Sequence, residues 1–174
     1  NAGRHDAGKH RSLPMVGDAK LGLNALTGAI GDYSAPADWT RRAADERSKW
    51  MAYVAGNVAP GNAPNSYAQA IGAVNALCHP RDRVVAAAGG LPAEVTANWR
   101  TLDIGTVDVE FGFSCMGYEI SGAWGARIAQ SEREPDRDTI TFCGDGSYLM
   151  LNSDIYSSVL SRKKLIVLLL DNGG

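Results

Sequence analysis

Two short apolar runs, each ending in a glycine-rich polar turn, constrain the fold more than any other feature of this chain. Thr139-Ile140-Thr141-Phe142-Cys143 leads directly into Gly144-Asp145-Gly146-Ser147, and Leu165 to Leu170 leads directly into Asp171-Asn172-Gly173-Gly174. Each run has the length and apolarity of a buried strand, and a helix is expected between them over residues 153–161. Strand, helix and strand in that order make parallel neighbours. Asp145 and Asn172, 27 positions apart (145 to 172), then emerge at adjacent carboxyl ends, where open α/β sheets bind ligands.

Upstream the same rhythm holds. The pattern predicts a helix over 66–77, a strand over 84–88, a short extended segment over 106–109 and a helix over 117–130. Alternating strands and helices with short turns indicate a doubly wound α/β domain, a parallel sheet covered on both faces, over residues 65–174. Residues 34–64 form a linker rich in proline, glycine and asparagine, with a charged amphipathic helix over 38–54. Residues 1–33 are expected to be the end of a second α/β domain. There, residues 12–16 are read as a short strand, and Asp18 as the N-cap of a helix starting at Ala19. The chain stops just after a buried strand, so a piece of a longer polypeptide is expected.

The turns have a definite chemistry. Asp145 is a carboxylate at a strand end beside glycines, with no Lys or Arg in the motif to neutralise it. One carboxylate, one amide oxygen and glycine-rich backbone suit Mg²⁺ holding a diphosphate. Gly144 and Gly146 let the backbone approach a ligand closely, and the N–H groups of Gly146 and Ser147, with the Ser147 hydroxyl, can meet a phosphate at a helix start. Gly89-Gly90 follows the strand at Val84; it is suited to a second phosphate contact or is simply a turn. Just beyond, Glu94 is grouped with the cofactor contacts, and Asn98 and Trp99 with the substrate side. No Gly-x-Gly-x-x-Gly follows a strand, which disfavours a plain dinucleotide-binding fold.

This pattern, Gly-Asp-Gly, a βαβ unit and an Asn-containing turn, resembles the thiamine diphosphate enzymes. The usual Asn-Asn is replaced by Asp171-Asn172, with the second position kept. The segments Asn1-Ala2-Gly3-Arg4-His5-Asp6-Ala7, Phe111 to Glu119 and Gly144 to Ser153 look most like a branch that hydrolyses a carbon–carbon bond in a cyclic 1,2-dione derived from inositol. The resemblance implies thiamine diphosphate and Mg²⁺ as cofactors, with Asp145, Asn172 and the Gly174 carbonyl as the metal's protein ligands. It also implies a loop, Phe113 to Gly117, that takes the aminopyrimidine: Ser114 through its carbonyl, and Met116 as the residue propping the cofactor in a bent shape. The activating glutamate is expected outside this chain, in a domain of another subunit, which makes the intact protein a homodimer or homotetramer with its site between subunits. A 2-oxo acid decarboxylase or carboligase of the same family, or a non-catalytic Mg-diphosphate-binding module, would share these residues.

Composition narrows the remaining classes. A net charge of −2 leaves no basic excess for a nucleic-acid partner. No apolar run approaches the roughly 20 residues that span a bilayer. Cys78, Cys115 and Cys143 are too scattered for a disulfide framework or zinc site and read as reduced core thiols of a cytoplasmic protein. His5 and His10 flank Asp6 but are read as surface or loop residues, and His79 as a helix-end residue.

Overall fold

The computed structural model describes residues 11–173. His5, Asp6, His10 and the carbonyl of Gly174 lie outside the described residues. The chain divides into two compact units, residues 1–48 and Lys49 onward. In the first, α1 (Ala19–Ile30) begins at Asp18, whose carboxylate accepts the Leu21 N–H at 3.0 Å, and ends at Gly31, with φ of 57°. Residues 12–16 form no strand. They are apolar enough, but no strand among the described residues of their unit is available to complete a ladder.

The second unit begins within α2 (Ala37–Val58) and holds a four-stranded, wholly parallel sheet in the order β2-β1-β3-β4. Its strands are β1 (Arg83–Ala86), β2 (Val107–Val109), β3 (Thr139–Gly144) and β4 (Ile166–Leu170). Helix α3 (Tyr67–Leu77) starts with a capping box: the Ser66 hydroxyl accepts the Gln69 N–H, and the Gln69 side chain accepts the Ser66 N–H at 2.9 Å. Helix α4 (Leu91–Asn98) follows β1, and α5 (Tyr118–Arg133) joins β2 to β3. Two helices, α6 (Asp145–Leu151) and α7 (Ser153–Leu160), join β3 to β4 where one was expected.

Alternation along the strands assigns the two faces. Val84, Ala86, Ile140 and Phe142 pack with Ile71 of α3 and Val95 of α4, and Trp99 stands edge-on to Phe142. On the opposite face Thr141 donates its hydroxyl to Val85 O and to Glu119 O of α5 at 2.7 Å. The sheet is therefore covered on both sides, a doubly wound α/β domain. Among the described residues no helix is long and apolar enough to cross a membrane.

The three cysteines separate. Cys143 is buried, and burial, followed by the Glu119 carboxylate, pushes its thiol up to about 11. Cys78 is likewise raised to about 11 by burial, then by Asp82 and Asp138. Cys115 is exposed and not a core thiol: it sits in a loop whose amides, described below, are held by a carboxylate instead of by apolar packing.

Two outcomes follow from this packing. Phe142 is fully buried, so Phe142→Ala lowers the unfolding free energy by about 3–5 kcal/mol in a urea titration; a loss below about 1 kcal/mol contradicts the core assignment. Because thiolate is the reactive form, iodoacetamide at neutral pH alkylates Cys115 and spares Cys78 and Cys143 until the protein unfolds. Peptide mapping that finds Cys143 modified in the folded protein contradicts its burial.

Candidate functional site

The strand order creates a switch point between β1 and β3. From β1 the chain crosses through α4 to β2 at one edge, returns through α5 to β3 on the other side of β1, and continues outward to β4. The loops leaving β1 and β3 therefore diverge, and a crevice opens at their carboxyl ends. Gly89-Gly90 follows β1, and Gly144 closes β3 with Asp145 and Gly146 opening α6. A recess of about 400 Å³ lined by Arg81, Arg83, Gln130 and Arg133 lies elsewhere, at the amino ends of the strands.

β3 and β4 pair from Ile140–Ile166 through Gly144–Leu170. The next residues outward, Asp145 and Asp171, thus start two turns about one strand spacing apart, ~4.8 Å. Asp145 is half-buried, whereas Asp171 and Asn172 are exposed. The Asp171 carboxylate accepts the N–H of Gly173 at 2.8 Å, and Gly173 has φ of 86°. Asp171 thereby shapes the turn that presents Asn172, a local task that a carboxylate fulfils as well as an amide.

Glycine is used here for space as well as conformation. A Cβ on Gly89, Gly90 or Gly144 would meet open space. A Cβ on Gly146 would stand 2.9 Å from Met116 Cε, so Met116 and Gly146 face each other in contact. Gly117, at φ of 95°, would place a Cβ 2.7 Å from Leu151 Cβ. The loop before α5 is therefore seated on α6 through Met116 and Gly117. Met116 remains 47% exposed, half on Gly146 and half open to a ligand. Ser147, the next residue of α6, is buried.

Other residues singled out in the sequence occupy different settings. Glu94, half-buried in the first turn of α4, accepts the Asn98 side-chain amide at 3.0 Å within its own helix. Trp99, read as a substrate-side residue, packs in the core against Phe142. Ser114 is exposed, at φ of 52°.

Three acidic residues were not singled out in the sequence. Asp108 and Glu110 alternate with Val107 and Val109 along and just past β2. Asp108 accepts the Tyr118 hydroxyl at 3.3 Å, and Glu110 accepts the Phe113 and Cys115 N–H groups, each at 2.9 Å. These bonds hold the Glu110 carboxyl below its usual range. Glu119, 1% exposed, accepts the Gly117 N–H at 3.0 Å through Oε2, while its Oε1 is buried without a partner. The period-two carboxylates at Asp108 and Glu110 are a signal the sequence contained; Glu119 lies in a helical pattern that reads simply as amphipathic.

The donor set can be weighed against the expected ion and cofactor. Among the described residues no group of three His, Cys, Asp or Glu side chains is placed so that it could hold a metal ion. A cation at these turns would take one carboxylate, Asp145, and complete its shell with amide, backbone and ligand oxygens. Such a hard, oxygen-only and incomplete set fits Mg²⁺ bound with a phosphate-bearing partner. The turns at Gly89-Gly90 and Gly144 leave open space in front of the backbone, and Met116 stands against Gly146.

Comparison with known proteins agrees with this geometry. Residues 87–174 match the model of the thiamine pyrophosphate enzyme C-terminal TPP-binding domain. The whole chain aligns at 35% identity with a 3D-(3,5/4)-trihydroxycyclohexane-1,2-dione hydrolase of Geobacillus thermodenitrificans, and at 31% with the protein of that name from Bacillus anthracis. It spans about 30% of the length of each of these curated relatives. A solved structure from Mycobacterium smegmatis, described as a thiamin diphosphate-dependent enzyme, superposes with a TM-score of 0.57 at 18% identity, over 64% of this chain and 21% of that one. At that identity it speaks for the fold alone. With the family's binding-domain model matched from the end of β1 onward, the chain belongs to the thiamine pyrophosphate enzymes.

Proposed function

We propose that this chain supplies the diphosphate-binding half of an enzyme that uses thiamine diphosphate and Mg²⁺ to hydrolyse a carbon–carbon bond in a cyclic 1,2-dione. The observation that carries the reading is the pairing of Gly144 with Leu170, which starts the Asp145 and Asp171-Asn172 turns side by side next to the β1–β3 switch point. In this reading Asp145, the Asn172 amide oxygen and the Gly174 carbonyl hold Mg²⁺, and the ion anchors the diphosphate. Backbone groups of Gly89, Gly90, Gly144, Gly146 and Ser147 line its path, and Glu94 borders the same side through α4.

When bound, thiamine diphosphate supplies a carbon nucleophile and an electron sink. The chain's own work is positional. Met116, wedged on Gly146, limits how the ring end can lie, and the Ser114 carbonyl offers an acceptor to an amino group. Holding reacting atoms in one geometry turns an intermolecular proton transfer into an intramolecular one.

The substrate assignment rests on the names of the relatives, trihydroxycyclohexanedione hydrolases. The overall change is addition of water across the bond joining two adjacent carbonyl carbons, opening the ring to a deoxyhexuronic acid in inositol breakdown. The intact protein is proposed to be cytoplasmic and to act as a homodimer or homotetramer, with another subunit supplying the activating glutamate. The exposed apolar residues of α6 and α7, among them Leu149, Met150, Val159 and Leu160, are surface that a larger assembly would cover. Turnover of the cyclic dione by the full-length protein, with no turnover of pyruvate or benzoylformate, is the expected result. Turnover of a 2-oxo acid alone replaces this substrate with another of the same family.

Asp145→Ala in the full-length protein weakens Mg²⁺-dependent retention of thiamine diphosphate by more than the roughly 10–100-fold typical of losing an outer-shell partner. Retention at wild-type level through gel filtration contradicts the metal assignment. Met116→Ala leaves affinity for the diphosphate end nearly unchanged but slows exchange of the cofactor C2 proton by roughly a hundredfold, the cost of an ångström-scale misplacement. Unchanged exchange, followed by NMR after a deuterium pulse, contradicts the propping role.

A further inference from the structure

The loop between β2 and α5 has little apolar reason to keep one shape. Residues 111–116 are all exposed, Phe113 to 90%, and Ser114 sits in the left-handed region at φ of 52°, which a non-glycine residue adopts only when its surroundings hold it there. What holds it is one side chain. The Phe113 N–H donates to Glu110 Oε1 and the Cys115 N–H to Oε2, each at 2.9 Å, and the Ser114 backbone N–H adds to the same carboxylate. Consecutive backbone amides turned around an anion form a nest, and here the anion belongs to the protein itself.

The carboxylate is well anchored. The Glu110 backbone N–H donates to Ala86 O of β1 at 3.0 Å, which ties the residue to the central strand. Asp108, two positions earlier and on the same side of the strand, holds the Tyr118 hydroxyl at the start of α5. The loop is thus clamped at its root and at its exit, and its next residue is Met116, in contact with Gly146. Amides committed to Glu110 cannot also donate to a ligand, so the 113–115 backbone can meet one chiefly through its carbonyl oxygens.

We propose that Glu110 is a positioning residue for the ring end of the cofactor: by gathering the amides of residues 113–115 it fixes where Ser114 and Met116 stand relative to Gly146. This rests on the reading of the crevice as a thiamine diphosphate site. The residue touches neither cofactor nor substrate in this role. It acts through the loop, and its influence is confined to the ring end because the Asp145 and Asn172 turns grow from other strands. Glu119 braces the same loop from inside through Gly117, but its burial makes it a poor residue to test without disturbing the core.

The test is Glu110→Gln in the full-length protein, titrated by calorimetry with thiamine diphosphate and, separately, with inorganic pyrophosphate, both with Mg²⁺. The amide side chain keeps the size but loses one acceptor oxygen and the charge. Expected are a loss of thiamine diphosphate affinity of about tenfold, in line with losing a charge-assisted hydrogen bond, slower C2 proton exchange, and pyrophosphate affinity within about twofold of wild type. Unchanged thiamine diphosphate affinity and exchange overturns the inference while leaving the site reading intact. Equal loss of both ligands overturns it by exposing a general structural defect. Failure of the wild-type protein to bind thiamine diphosphate overturns the site reading and the inference together. Should the variant not fold, hydrogen exchange of the wild-type protein decides: slow exchange at the Phe113 and Cys115 amides supports the nest, and exchange at the rate of free loop amides overturns it.

Discussion

The ladder between β3 and β4 sets the carboxyl edge of the sheet, and the candidate site is built on that edge. Five consecutive pairs, ending at Gly144 opposite Leu170, bring two turns distant in sequence to one spacing of the sheet. The register is held from below, because Ile140 and Phe142 are buried against α3 and α4 while Thr141 and Cys143 are buried toward α5. A slip of one residue would exchange these faces, burying Thr141 among aliphatic side chains and stranding its hydroxyl. Core packing and site geometry are therefore one constraint: the residues that fix the strand also decide which residue leaves it beside Asp171.

A second constraint is topological. With β1 and β3 adjacent and their connections leaving in opposite directions, neither connection crosses the gap between their carboxyl ends. Glycine then does two separate jobs around the opening. At Gly89, Gly90 and Gly144 it leaves space in front of the backbone, and at Gly146 and Gly117 it permits Met116 and Leu151 to come close. The Met116 loop is held by carboxylates, Asp108 on β2, Glu110 just past it and Glu119 on α5, more than by apolar contact. Such a loop can be stiff without being buried, which suits a surface that must stay open to a ligand.

Much of this was legible in the sequence. The strands around Val84, Thr139 and Leu165 are apolar runs bounded by glycine or polar turns, and the helices over 66–77 and 117–130 follow from their apolar periodicity; the structure adds a capping box at Ser66 and a left-handed Gly117 without a side-chain cap. The α/β class and the adjacency of the turns after β3 and β4 follow from those elements, whereas the family rests on the resemblance carried by the Gly144-Asp145-Gly146 and Asn172 motifs. Residues 12–16 have the apolarity of a strand but form none, because an apolar run becomes a strand only if a neighbour completes its ladder. Helix α4 was missed because Gly89-Gly90 and Pro92 read as a turn, although proline at a helix start is well tolerated. A helix start is legible at Gly146-Ser147, but the break that separates α6 from α7 at Asn152 is not, so the pattern yields a single helix over 153–161. Trp99 faces the core because α4 turns it toward Phe142, a fact of tertiary packing. The roles of Glu110 and Glu119 depend on which backbone amides reach them, and that is visible only once the loop is folded.

The most direct measurement of the central claim is calorimetric titration of thiamine diphosphate into the full-length protein, with Mg²⁺ and again with EDTA. The account predicts stoichiometric binding that requires the metal and disappears on chelation. Binding of equal strength in EDTA, or none in either condition, would contradict it, because the paired turns at Asp145 and Asn172 would then be no more than the end of a sheet.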